Sequence, residues 1–458
     1  MREAGNRKRR PRGDGLQLDF VNHASLIVSH GGVRLLSDPW LQGTSFNDGW
    51  ALLSPSAFGP EDFEGITHIW YSHEHPDHFS PRCLALCPEA LRPGIEVLFH
   101  ASEDTKIVRH CEGLGFRTRE LPRDERIALA PDFHVRCARW DHSDDSWLLV
   151  EAGGKRLLNL NDCLVNSREQ MEGLSAQVGE LDVLLTQFSI AGWNGNAEEV
   201  ERREAGGRNM LERTVLQAQV FRPRAVIPFA SFVWFCHEEN HYMNSASNTV
   251  NEVEAALRER ADATPVVLYP GDRWQVGHEH RNDEALERYR ADYRSLPGRE
   301  RQKAKTLPLD TLQDLAERFC ARLNGQVGPL RLRLRMARMN AHYQERRRPG
   351  LAGRLRGALA LALLRPNPAR IWIQDLERAA RFDLRRGLVP AELPRDACDV
   401  ALSSDSLAYA FRFLWGGLAL QINGRFHELH REGRRPLFDA LWMADAMNRR
   451  EGAEARPL

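Results

Sequence analysis

The stretch Ile66-Thr67-His68-Ile69-Trp70-Tyr71-Ser72-His73-Glu74-His75-Pro76-Asp77-His78-Phe79 constrains this chain more than any other. Its first part is rich in β-branched and aromatic residues, as a buried strand is. Its second part sets His73, His75, Asp77 and His78 within six residues. Pro76 has a fixed φ and no backbone donor, so the cluster belongs on a loop and not inside a helix. Alternate residues of an extended segment point the same way, so His73 and His75 can face one metal ion together. The turn that follows aims Asp77 and His78 at a second ion. Asp77 and His78 are thus candidates for catalysis as well as for ligation.

The rest of the chain gives this loop a globular, divided setting. At 458 residues one ordinary core is not enough. The expected parts are a charged tail (1–15), a catalytic domain (16–275), a charged helix and linker (276–306) and an accessory domain (307–458). The 63 Lys and Arg balance the 63 Asp and Glu, so net charge implies no global attraction to nucleic acid or to a membrane. Eight cysteines lie scattered without a C-x-x-C pair, which suits reduced thiols. The basic N-terminus has no apolar segment behind it, and the longest apolar run, 357–364, is far too short to span a bilayer. The expectation is a cytoplasmic protein with no membrane span.

From Leu16 short apolar runs read as strands, with Gly31-Gly32 and Gly153-Gly154 as hairpin turns. Further strands at Val97–His100, Ala128–Trp140, Leu157–Leu160, Leu181–Gln187 and Ala225–Phe229 alternate with helical stretches, the succession that two sheets sandwiched by helices would produce. Residues 276–306 read as solvated. Leu312, Leu315, Phe319 and Leu323 form one face of a helix ending at Gly325. Leu330–Met339 alternates Arg with apolar residues, a strand-like period, although a helix fits as well.

The H-x-H-x-D-H pattern after an apolar strand resembles the metallo-β-lactamase superfamily. Phe20-Val21-Asn22-His23-Ala24-Ser25, the block Asp38-Pro39-Trp40-Leu41-Gln42-Gly43 and Phe46-Asn47-Asp48-Gly49-Trp50 are similar to the opening of its CMP-N-acetylneuraminate hydroxylase-like branch. The resemblance runs from about residue 16 to about residue 275. It implies an αββα sandwich, an α/β fold, here with a C-terminal extension that is mixed α/β or mostly helical. It also implies two divalent metal ions, held by His73, His75, Asp77 and His78 with further ligands downstream.

His142, just after the strand ending at Trp140, stands where the superfamily places a third histidine; His134, mid-strand, is the competing position. Asp162 matches the aspartate that bridges two metals, since a carboxylate has two oxygens to share. The superfamily usually carries a histidine directly after a strand such as Ala225–Phe229. Here Ala230 follows, so the last ligand falls to His237, with Glu238 and His241 as alternatives. Asp38 would pack beneath the metal loop, or would be a turn residue bonding its own backbone. His23 belongs to the same neighbourhood. Trp193 and Asn194, in a Gly-rich loop after Leu181–Gln187, would edge the site and touch substrate.

Such a site suits two chemistries. Zinc would activate water for hydrolysis of a phosphoester, amide or lactone. Iron would activate O₂ for hydroxylation or N-oxidation of a polar small molecule. The hydroxylase-like branch favours iron and a monooxygenase. Its members carry a Rieske [2Fe–2S] domain, but no C-x-H…C-x-x-H pattern occurs here. An oxygenase of this kind would need a separate electron-transfer protein or would draw electrons from its substrate. A metal-bound carrier without turnover is the third reading.

Overall fold

The computed structural model describes residues 15–102, 105–140, 145–347, 350–363 and 367–451. The strands Lys155–Asn159, Val183–Gln187 and Ala225–Phe229 pair in parallel. The last two are buried at every position, as strands covered on both faces must be. Their crossovers are the helices Arg168–Val178 and Val200–Phe221. Ser167 starts the first of these in a capping box with Gln170. Antiparallel strands Ser146–Ala152, Phe133–Arg139 and Ile127–Ala130 on one side, and the short parallel strand Thr264–Pro265 on the other, extend this sheet to seven strands.

A second seven-stranded sheet repeats the plan. Arg273–Gln275, Gln17–Asn22, Ser25–His30 and Val33–Ser37 are antiparallel neighbours. His68–Trp70, Glu96–His100 and Arg117–Leu121 then continue in parallel. The two hairpin turns have the left-handed backbone that glycine permits: φ is 57° and 89° at Gly31 and Gly32, and 57° and 68° at Gly153 and Gly154. Two facing sheets with helices outside make the αββα sandwich of the metallo-β-lactamase fold. The loops leaving the carboxyl ends of the parallel strands, after Trp70, Asn159 and Phe229, are where side chains from both sheets meet.

Residues 276–306 are not solvated throughout. The helix Asp283–Ser295 buries Ala285 and Tyr289. The Tyr289 ring stacks on Phe232 at 4.6 Å, and its hydroxyl donates to the Leu268 carbonyl at 2.8 Å.

Further on, the helix Leu309–Val327 buries Leu312, Leu315, Phe319 and Leu323, but it runs through Gly325 and ends at Gly328. The Arg/Leu alternation of 330–339 lies in a helix, Pro329–Arg347, and not in a strand. Leu, Arg, Met and Ala are all good helix formers, and the segment has no β-branched residue. The helix Leu351–Ala362 packs against it. A five-stranded mixed sheet follows, ordered Gly387–Ala391, Arg378–Asp383, Ala369–Ile373, Val400–Leu402 and His427–Glu428. The helices Ser404–Arg412, Gly416–Asn423 and Arg435–Glu451 complete the C-terminal part. One buried cluster holds Trp40 and Ile69 of the sandwich together with Phe319, Phe411 and Leu441 of this part.

Candidate metal centre

The loop after His68–Trp70 is built on Asp38. This residue leaves the strand Val33–Ser37 with φ of 36° and is completely buried. Its Oδ1 accepts the Ser72 N–H at 2.8 Å. Its Oδ2 accepts from Ser72 Oγ at 2.7 Å, from His78 Nδ1 at 3.0 Å and from Asn161 Nδ2 at 2.5 Å. A carboxylate oxygen accepts, so His78 donates from Nδ1 and leaves Nε2 as the atom that would take a metal ion. Ser72 gives its single hydroxyl proton to Asp38, so it accepts from His73 Nδ1 at 2.9 Å. His73 therefore also presents Nε2.

Among the described residues three groups of side chains could hold a metal ion, with ligand atoms within 4.8 Å of one another. The first is His73, His75 and Asp145, where His73 Nε2 lies 2.8 Å from His75 Nδ1 and 3.4 Å from Asp145 Oδ1. The second is His73, His78 and Asp162, with His78 Nε2 3.3 Å from Asp162 Oδ2. The third is His23, Asp77 and His78, with Asp77 Oδ2 3.4 Å from His23 Nε2 and 3.5 Å from His78 Nε2. Each group is two imidazoles and one carboxylate. Because His73 and His78 are shared, the seven side chains form one continuous row of donors.

Burial, helped by the neighbouring His78, pushes His73 down to about 4, and burial also lowers His75. Both imidazoles are thus neutral, the form that binds metal. Burial opposes the charge on Asp77, yet His78 and His23 override it and hold the carboxyl well below its usual range. Burial likewise opposes a charge on His78, and Asp77, Asp162 and Asp38 drive it well above the usual imidazole value. A field that draws a proton onto a buried imidazole equally favours a divalent cation in its place. Both ring nitrogens of His23, Oδ1 of Asp77 and Nε2 of His78 are buried with no hydrogen-bond partner among the described residues. Each such orphan costs about 1–3 kcal/mol, which a bound cation would offset. The residues present therefore fit a pair of divalent ions.

The sequence-predicted residues are placed as follows. His142 lies outside the described residues. Asp145, three positions on and just before Ser146–Ala152, lies with His73 and His75. Asp162 reaches the row from the turn after Lys155–Asn159, steadied by Gln187 Nε2 at 2.9 Å, and Arg213 in turn donates to Gln187 Oε1 at 3.0 Å. His134 stays mid-strand opposite Glu151.

His237 is buried in another network and joins none of the three groups: its Nδ1 accepts from the Glu239 N–H at 3.1 Å. The His241 ring bonds the Glu238 carbonyl at 3.2 Å, and neither residue is in a group. Trp193 packs on Phe426 at 4.9 Å, and Asn194 donates to the Arg203 carbonyl at 3.3 Å. That loop meets the helix Gly416–Asn423, through the Trp193 N–H on the Gln421 carbonyl at 3.0 Å. His23 brings an imidazole beside the turn that follows Ala225–Phe229. It sits at the tip of the first hairpin, where its carbonyl accepts the Ala230 N–H at 3.0 Å.

Beside the loop opens a cleft of about 650 Å³ lined by Phe46, His75, Phe79, Lys106, Arg109 and His110, and on its other side by Trp415 and Leu418. Lys106 pairs with Glu74 at 2.9 Å. Phe46 stands 5.9 Å from the His75 ring and begins three left-handed residues, Phe46, Asn47 and Asp48. The C-terminal part holds this run in place. Asn423 Nδ2 donates to the Phe46 carbonyl at 3.0 Å and Arg425 Nη1 to the Asn47 carbonyl at 2.6 Å.

Fold and donor row together define a metallo-β-lactamase-fold protein with a candidate His/Asp metal site. No protein-family profile matches the chain. Its sequence is similar to cytidine monophosphate-N-acetylneuraminic acid hydroxylases. It is 25% identical to the Asterias rubens protein over 267 residues, 52% of this chain and 38% of that one. It is 23% identical to the Mus musculus protein over 273 residues, 57% of this chain and 47% of that one. The chain thus spans less than half the length of either relative. Among solved structures it is similar to CmlA, a diiron β-hydroxylase from Streptomyces venezuelae (TM-score 0.39, 17% identity, 58% of this chain and 55% of that one). It is also similar to Igni18, a metallo hydrolase from Ignicoccus hospitalis (TM-score 0.40, 16% identity, 58% of this chain and 99% of that one).

Proposed function

We propose that this chain is a binuclear non-haem iron oxygenase that hydroxylates or N-oxidises a polar small molecule. The observation that carries the reading is that every candidate group is two histidines and one carboxylate. This donor set leaves positions open on iron, and iron so held supplies O₂ activation. Similarity to sequences named as hydroxylases supports the same choice. One ion would rest on His73, His75 and Asp145, with His142 as a further ligand. The other would rest on His23, Asp77 and His78, and Asp162 would lie between them.

The remaining roles belong to the protein's own groups. Asp38 and Ser72 fix the tautomers of His78 and His73. Asp77, held ionised by His78, suits a ligand and an orienting group better than a proton acceptor. Phe46, Phe79 and Trp415 offer an apolar wall that excludes water, and Glu74, Lys106, Arg109 and His110 offer polar contacts that suit a polar substrate. Electrons would come from a separate electron-transfer protein or from the substrate.

The test is elemental analysis of protein from cells supplied with both iron and zinc, paired with absorption and Mössbauer spectra. About two irons per chain and an O₂-dependent spectral change support the oxygenase. Two zincs without an O₂ response would replace it with a hydrolase of a phosphoester, amide or lactone, since two histidines and a carboxylate also serve catalytic zinc. One metal or none would refute both and leave a carrier.

A further inference from the structure

The helices Pro329–Arg347 and Leu351–Ala362 lie outside the metal row and show a surface unlike the rest of the protein. Of the ten large apolar side chains exposed among the described residues, seven are here: Leu330, Leu334, Leu351, Leu355, Leu359, Leu361 and Leu363. They expose between 38% and 74% of their surface. On the second helix Gly353, Gly357 and Ala360 are buried. At about 100° per residue, Leu351, Leu355, Leu359 and Leu363 fall on the opposite side within about 120° of arc. Arg354 and Arg356 border that stripe, one on each side, and both are exposed.

Charge singles out the same segment. Residues 329–363 contain nine arginines and one acidic residue, Glu345, in a chain whose formal net charge is zero. Arg331, Arg335 and Arg338 are exposed on the first helix. Among the described residues no carboxylate pairs with these three, with Arg354 or with Arg356.

We infer that this helical hairpin is a docking surface for an anionic lipid bilayer, with the leucine stripe of Leu351–Ala362 set into the headgroup boundary and the flanking arginines on phosphate. Arginines alone would suit nucleic acid, and leucines alone would suit a second copy of the chain. A leucine stripe edged on both sides by guanidinium groups matches an apolar layer beneath anionic headgroups. The helix would lie in the interface, and no helix among the described residues is long and apolar enough to cross a membrane. Docking would bring the protein to a surface where amphiphilic molecules concentrate.

The experiment is co-sedimentation of the metal-loaded full chain with vesicles of phosphatidylcholine, with and without about one-third phosphatidylglycerol. The chain should sediment with the anionic vesicles and far less with the neutral ones. The pair Leu355→Gln and Leu359→Gln, which keeps helix-forming residues at exposed positions, should weaken binding at least about tenfold with metal content unchanged. The pair Arg354→Gln and Arg356→Gln should weaken it and flatten its salt dependence. Absence of binding to anionic vesicles overturns the inference. So does equal binding by the leucine pair, or a dimer that the leucine pair converts to monomer, because the stripe would then be covered by a second copy.

Discussion

Replacing Asp38 by Asn changes no volume and tests whether one carboxylate organises the metal row. The wild-type side chain receives four donors: the Ser72 amide, the Ser72 hydroxyl, His78 Nδ1 and Asn161 Nδ2. An amide presents only one acceptor. With its NH₂ toward His78 and Asn161, it meets donors on both and forces His78 into the other tautomer, with the proton on Nε2. The lone pair that would face the metal is then lost. With the NH₂ toward the Ser72 amide, the clash moves there. Losing an orienting partner of this kind costs about 10–100-fold in metal affinity, or about 1.4–2.7 kcal/mol. The misplaced buried donor costs a further 1–3 kcal/mol or so of fold stability. Competition with a chromophoric chelator would measure the first, and urea unfolding of metal-stripped protein the second. The ion at His78 should weaken more than the ion at His73 and His75, because Ser72 can still accept from His73. Unchanged affinity for both ions, in a variant that folds, would refute the reasoning.

Other substitutions probe the remaining assignments. His23→Ala should lower the stoichiometry from about two ions to about one, and His237→Ala should leave it unchanged; elemental analysis showing the reverse would return His237 to the site. Arg425 is almost fully buried and pairs with Glu239 at 2.7 Å and Asp405 at 2.6 Å, so Arg425→Met, which strands both carboxylates, should cost about 3–5 kcal/mol by denaturant titration. A loss below about 1 kcal/mol would mean that solvent screens the network. Tyr289→Phe should cost about 1 kcal/mol for the bond to the Leu268 carbonyl, and Tyr289→Ala about 3–5 kcal/mol for the cavity beside Phe232. Thermal unfolding insensitive to both changes would put the helix Asp283–Ser295 outside the core.

How far the site could be read depended on how local its causes are. His73, His75, Asp77 and His78 are neighbours in sequence, and the structure keeps them together because one loop carries them. Asp38 and Asp162 come from distant strands and were reachable only through resemblance. His23 reaches the row through a backbone bond between two turns, His23 to Ala230, and no pattern near either residue announces that pairing. Asp145 is masked in sequence by the better metal ligand three residues before it. In the C-terminal part, alternation of Arg with Leu imitates a strand, and backbone propensity outweighs it. In 283–295 the charged face dominates the composition, while Ala285 and Tyr289, four residues apart, decide where the helix lies.

The charge of the row couples metal loading to a proton. Against burial, Asp77 and Asp162 are both held ionised chiefly by His78, in a region where burial keeps His73 and His75 neutral. Buried charge must be balanced nearby. In the empty row a proton on His78 supplies part of that balance, drawn there against the cost of burial by Asp77, Asp162 and Asp38. Loading the ion that takes His78 must then displace that proton. In a weakly buffered solution at neutral pH, metal titration should therefore release about one proton per chain, concentrated in the ion that takes His78. Calorimetry in buffers of different ionisation enthalpy would count it. Binding at His78 with no proton released would mean that His78 is neutral in the empty row, and the coupling argued from Asp77 and Asp162 would fall.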